Sequence, residues 1–147
     1  MRVERIKYPM GTLTAEGALI YDENVSGKRP AVLLAPNWMG MTDKAVRRGE
    51  LVAGNRYVVF VADMYGAGTR PVDFQEAAAL ANPLRADAIE QRSWVRSAFE
   101  TMIAQAKARD LIDAAAQRSA FALAAAMSWS WRVTAPLWRQ PCRSMVI

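Results

Sequence analysis

Pro30-Ala-Val-Leu-Leu-Ala-Pro36 and, after one helical stretch, Tyr57-Val-Val-Phe-Val-Ala62 decide the fold class of this chain. Neither run alternates polar with apolar residues, so neither has a face to give to water. Each reads as a strand buried on both sides, as in a parallel sheet covered by helices. Between them lies the loop Asn37-Trp-Met-Gly40, after which Thr42 or Asp43 can cap a helix that runs to about Val52 and stops at Gly54-Asn55. Strand, helix and strand within ~30 residues form a βαβ unit, whose crossover should be right-handed.

Working outward, Leu13 to Tyr21 (LTAEGALIY) reads as a strand that turns through the polar stretch Asp22 to Lys28. Beyond Asp63-Met-Tyr-Gly66 the chain turns through Gly68 and Pro71 into a helical stretch, Asp73 to Ala81. Asn82-Pro83 then reads as the opening of a long helix, Asn as cap and Pro at its first position. Leu84, Ala88, Val95, Phe99, Met102 and Ala106 fall at helical spacings and form one apolar stripe suited to a sheet. The class is α/β. Another buried strand should follow Leu111-Ile-Asp113, yet the residues beyond show helix-like spacing around Phe121 and Met127 and then no clear period. The expectation is therefore no strand there, and at most an irregular helix over Ala120 to Met127.

Composition breaks at the same place. Up to Gln117 there are 15 Lys/Arg against 14 Asp/Glu, whereas Arg118 to Ile147 holds four Arg, no Lys and no acid. This tail also carries Trp129, Trp131, Trp138 and the one cysteine, Cys142. Nearly all of the net charge of +5 thus belongs to an appendage, and the division expected is a domain over residues 1–117 and a basic Trp/Arg-rich tail over 118–147. A single cysteine excludes an internal disulfide framework. The charged N-terminus lacks the apolar core of a secretory signal, and no run approaches the ~20 apolar residues of a membrane span. A cytoplasmic location is expected, with no membrane or nucleic-acid partner for the domain. With no histidine and one cysteine, neither a metal site nor a cofactor is expected.

GALIYD (Gly17 to Asp22), RPAVLLAPNWMG (Arg29 to Gly40), GNRYVVFVADMYG (Gly54 to Gly66) and LRAD (Leu84 to Asp87) stand in an order and spacing that resembles the dienelactone hydrolase family of the α/β-hydrolase fold. The resemblance runs from about Val3 to Asp113. It implies a truncated α/β-hydrolase fold, namely the N-terminal βαβ portion of a mostly parallel sheet flanked by helices, and a small ester or lactone as substrate. It implies that the backbone N–H of Trp38 is an oxyanion donor and that Arg85 binds a substrate carboxylate; a solvated arginine in a first helical turn is the bland alternative. Asn37 falls where dienelactone-cleaving members have a Glu that controls the nucleophilic thiolate, which favours a different ester or lactone. Asp63 comes too early in the chain for the catalytic aspartate and suits a turn.

The family next presents a strand ending in Gly-x-Cys-x-Gly-Gly, the nucleophile elbow, and later an Asp and a His. None of these is present here, so no catalytic residue is assigned, and Cys142 in Pro-Cys-Arg reads as a bystander thiol. The elbow does appear when the tail is read with the third base of each codon as the first of the next. Ser119 to Ala126 then permit Ile-Gly-Phe-Cys-Phe-Gly-Gly-Gly, and Pro141 to Val146 permit Val-Ser-Phe-His-Gly-Asp. A one-base shift within roughly Asp113 to Arg118, with premature termination after Ile147, is the expectation for residues 118–147. The alternative is a non-enzymatic α/β protein whose tail, with Arg132, Arg139 and Arg143 among its tryptophans, binds a membrane surface or nucleic acid; Pro136 and Pro141 interrupt any amphipathic helix that would do so. In the family fold the Pro30 to Pro36 strand lies beside the elbow strand. Its loss would leave an open apolar edge, so aggregation or self-association is expected.

Overall fold

The structure is a computed structural model that describes residues 1–113 and the strand at 121–124. Five strands form one sheet in the order β1-β2-β4-β3-β5: β1 (Arg2–Met10), β2 (Leu13–Tyr21), β3 (Ala31–Ala35), β4 (Val58–Val61) and β5 (Phe121–Ala124). The sheet is mixed. β1 pairs with β2 and β2 with β4 antiparallel, whereas β3 runs parallel to both β4 and β5. Three helices cover it: α1 (Asp43–Ala53), α2 (Phe74–Ala86) and α3 (Ala88–Ala108).

Alternate residues of the two central strands serve two cores. Val32, Leu34, Val59 and Val61 pack with Ala18 and Ile20 against Ala45 and Ala53 of α1. Leu33, Val58 and Phe60 face the other way, with Tyr8, Met10 and Leu19, onto Ala98, Met102, Ile103 and Ala106 of α3. Both faces of β3 and β4 are therefore dry, which is why these runs show no polar alternation. Gly17 permits a close approach of β2 to β4, since a Cβ there would stand 2.5 Å from Phe60 Cζ and 2.8 Å from the Val61 carbonyl oxygen.

Three local features differ from the sequence expectations. First, α2 does not stop at Ala81 and Asn82-Pro83 does not open a helix: Asp73 caps α2 by accepting from the N–H groups of Gln75 and Glu76 at 2.9 and 2.8 Å, and Pro83 lies inside it. The break comes at Asp87, whose carboxylate accepts from Ile89 and Glu90 at 3.0 and 2.8 Å and starts α3. A proline forgoes one helical hydrogen bond, whereas an aspartate that satisfies two amide donors begins a new helix. Of the expected stripe, Met102 and Ala106 are buried, Val95 and Phe99 pack on the core and Leu84 belongs to α2, but Ala88 is exposed. Second, β1 was not expected: its inward residues, Glu4, Ile6, Tyr8 and Met10, alternate with outward ones, but the series begins with a charge and Pro9 stands within it.

The third difference concerns the tail. A strand does follow Asp113: β5 pairs with β3 from Val32↔Phe121 to Ala35↔Ala124, where no strand was expected, and an irregular helix over Ala120 to Met127 is excluded at these four residues. β3 is consequently not an open edge. A short apolar run has little periodicity to read, and the unpaired N–H and C=O groups of β3 supply the template that local sequence lacks. The remainder of the tail, including Cys142 and all three of its tryptophans, lies outside the described residues.

At the end of the sheet remote from the β3 and β4 C-termini, Glu4 joins distant elements. Its carboxylate receives Arg109 at 2.7 and 3.0 Å, the Tyr21 hydroxyl at 2.7 Å and Arg2 at 2.9 Å. Arg109 foremost, and then Tyr21, hold the Glu4 carboxyl down at about 2. An unfolded glutamate titrates at about 4.3, so this stabilisation is fully present above about pH 5 and is lost as the pH falls from there toward 2. Glu4→Gln should lower the unfolding free energy by about 1–2 kcal/mol near neutral pH, and wild type and variant should converge in urea titrations as the pH approaches about 2.

Candidate functional site

β3 and β4 are parallel, so the loops that leave their C-terminal ends lie side by side, the usual place for a ligand site in an open α/β sheet. Ala62 extends the pairing by donating to the Leu34 carbonyl at 2.9 Å. The first loop holds Asn37, Trp38 and Gly40, and the second holds Asp63 and Tyr65.

Asp63 is 1% exposed, and its carboxylate is spent on backbone. One oxygen accepts from Tyr65 N–H at 3.1 Å and Gly66 N–H at 3.3 Å, the other from Glu16 N–H at 3.1 Å, and Arg70 stands 3.8 Å away. The Asp63 backbone is clamped as well: the Tyr8 hydroxyl donates to its carbonyl at 2.9 Å and accepts from its N–H at 3.0 Å. Burial pushes the Tyr8 phenol well above the ordinary range, so it stays a protonated donor. This aspartate fixes a turn, both of its oxygens being engaged by backbone donors.

Tyr65, which carried no role in the sequence reading, is thereby fixed at its backbone and reaches the first loop. Its hydroxyl donates to the Trp38 carbonyl at 2.6 Å. Its ring lies against Gly40, where a Cβ would stand 2.8 Å from Cδ2 and where φ is +71°, so this position requires glycine on both counts. The Asn37 side chain accepts from Met39 N–H at 3.1 Å and the Asn37 carbonyl accepts from Gly40 N–H at 2.9 Å. Of the polar groups on the two peptides flanking Trp38, the Asn37 carbonyl, the Trp38 carbonyl and the Met39 N–H are engaged. No acceptor among the described residues takes the fourth, the Trp38 N–H.

Of the three positions singled out from sequence, Asn37 and Trp38 share this loop, and Arg85 lies on α2. Asn37 uses its oxygen to shape the loop. Trp38 stacks on Phe74, the first residue of α2, with ring centroids 5.4 Å apart and planes 20° from parallel, leaving Phe74 two-thirds exposed beside the loop. Arg85 is exposed near the end of α2, and its charge draws the Tyr65 phenol down against the larger upward effect of burial. Tyr65 and Phe74 had no distinctive sequence signal, because Asp-x-Tyr-Gly reads as a turn and Phe74 as the start of a helix. Among the described residues no three His, Cys, Asp or Glu side chains group to hold a metal ion, and no helix is long and apolar enough to cross a membrane.

A family model described as the dienelactone hydrolase family matches residues 16–115. Among solved structures, the chain is similar to m3DLH, with 28% identity and a TM-score of 0.73. It resembles in fold a dienelactone hydrolase-like promiscuous phosphotriesterase from metagenomic libraries at 23% identity and a TM-score of 0.73. A putative dienelactone hydrolase from Klebsiella pneumoniae has a TM-score of 0.58 at 13% identity. Each alignment covers 84% of this chain but only 48%, 48% and 49% of the respective partner, so the chain spans about half their length. No curated protein sequence matches it.

Replacing Asp63 by Ala would strand three N–H donors in a dry turn. Asp63→Ala should reduce stability by about 3 kcal/mol or more in urea unfolding, with Asp63→Asn intermediate, because the amide keeps acceptor capacity on one oxygen.

Proposed function

This chain belongs to the dienelactone hydrolase family, and from that premise we propose that its architecture serves hydrolysis of a small carboxylic ester or lactone, the chain as it stands being catalytically silent. The observation that carries this reading is the Trp38 N–H in the loop at the carboxyl end of β3, the one polar group of the two peptides flanking Trp38 that no acceptor among the described residues takes. In ester hydrolysis such an amide stabilises the negative charge that develops on the carbonyl oxygen, and Arg85, whose charge is felt at Tyr65, would suit a substrate that also carries a carboxylate. Asn37 offers no carboxylate to control a thiolate, which supports an ester or lactone other than a dienelactone.

An oxyanion donor alone does not divide acyl transfer into easy steps; that takes a positioned nucleophile and a base. The sequence has no histidine, and its one cysteine lies in Pro-Cys-Arg without flanking glycines. Purified chain should hydrolyse a simple activated ester no faster than its Cys142→Ala variant. A clear loss on that substitution would identify Cys142 as a nucleophile and refute the proposal.

Residues 118–147 we read as shifted coding sequence. Two observations support this: the break in composition near Gln117, and the position of β5 beside β3, since the codons of Phe121 and Ala122 are those across which the shifted frame spells the elbow cysteine. Self-association then falls to β5, whose second edge has no partner among the described residues. Sequencing the DNA under residues 113–126 tests the frame directly. Removing or adding one base should restore Gly-x-Cys-x-Gly-Gly and yield a soluble protein whose hydrolysis of small esters or lactones is abolished by thiol alkylation; codons unable to spell the elbow would end the idea.

A further inference from the structure

Trp38 matters to the proposed chemistry only if its N–H is held ready, so what orients that amide is a separate question from whether turnover occurs. The chain has no cis peptide among its described residues, and in a trans peptide the N–H and C=O point in opposite directions. The Asn37 carbonyl is turned toward Gly40 N–H at 2.9 Å, which directs the Trp38 N–H away from the loop's own interior. The next peptide is gripped at both ends, its carbonyl by the Tyr65 hydroxyl at 2.6 Å and its Met39 N–H by the Asn37 side chain at 3.1 Å.

We infer that Tyr65 is a positioning residue of this site: its hydroxyl, rather than its ring, locks the Trp38–Met39 peptide and so presets the Trp38 N–H for a substrate oxyanion. This rests on the hydrolase reading above. The ring has its own task, filling the space over Gly40, and Phe would perform that equally well. Among the described residues the hydroxyl donates to the Trp38 carbonyl. Tyr65 is in turn held by the Asp63 carboxylate, so the constraint runs from the buried end of β4 into a loop that lies before α1 in sequence. Burial raises the Tyr65 phenol above its ordinary range, which keeps the donor protonated at neutral pH.

Amide hydrogen exchange of the full chain, read by mass spectrometry with residue-level fragmentation, tests this without turnover. Tyr65→Phe should speed exchange at Met39 by roughly three- to tenfold, the factor one hydrogen bond supports, while the Asp63-held amides of Glu16 and Gly66 stay unchanged. Asn37→Ala, which removes the Met39 acceptor itself, should speed Met39 at least as much. Unchanged Met39 exchange in either variant would overturn the inference, and equal acceleration at Glu16 and Gly66 in Tyr65→Phe would do so too, by reducing Tyr65 to a residue that merely stabilises the fold. Absence of ester hydrolysis leaves the inference standing, and its failure leaves the hydrolase reading to be judged on its own experiment.

Discussion

A single buried carboxylate holds the working end of this molecule together. Asp63 accepts from the N–H groups of Glu16, Tyr65 and Gly66, so it ties the end of β4 to β2 and sets the turn from which Tyr65 departs. An ionised group removed from water is costly unless each lone pair is satisfied. Here three backbone donors reach its two oxygens, with Arg70 at longer range, and the arrangement tolerates little displacement of the segments it joins. The Tyr8 hydroxyl, which both donates to and accepts from the Asp63 backbone, extends the same constraint to β1.

From this anchor the order of the site is built outward. Parallel pairing of β3 and β4 brings two loops to one edge, and the Tyr65 hydroxyl couples them by a bond to the Trp38 carbonyl. Glycine at position 40 makes room for the ring that carries that hydroxyl. Phe74 then closes over Trp38 from the start of α2, whose placement depends on the Asp73 cap. The outcome is a loop in which the Trp38 N–H has no acceptor among the described residues.

β5 shows how strongly a sheet edge organises what comes next to it. Phe121–Ala124 belongs to a stretch whose composition departs from the rest of the chain, yet it pairs in register with β3 over four residues. Parallel pairing asks only for an extended, apolar, proline-free segment within reach, and the exposed backbone of β3 supplies the remainder. The position beside β3 is thus occupied without the glycines and cysteine that the family's chemistry requires there.

What the sequence by itself determined is the pair of two-faced strands, the helix between them with a cap at Thr42 or Asp43, the family and the loop around Trp38, because continuous apolar runs, capping residues and short motifs are local signals; the structure chose Thr42, which accepts from Ala45 N–H. The boundary between α2 and α3 was misread at Asn82-Pro83, since local preference at a proline yields to a helix already capped at Asp73 and restarted at Asp87. β1 and β5 were not expected: one begins with an inward glutamate that Arg109, 105 positions later, meets together with Tyr21 and Arg2, and the other pairs with the edge that β3 offers. Tyr65 was invisible for the same reason. Its role depends on which carbonyl lies within 2.6 Å of its hydroxyl, and that distance is decided by the packing of β3 against β4 rather than by any residue near it in the chain.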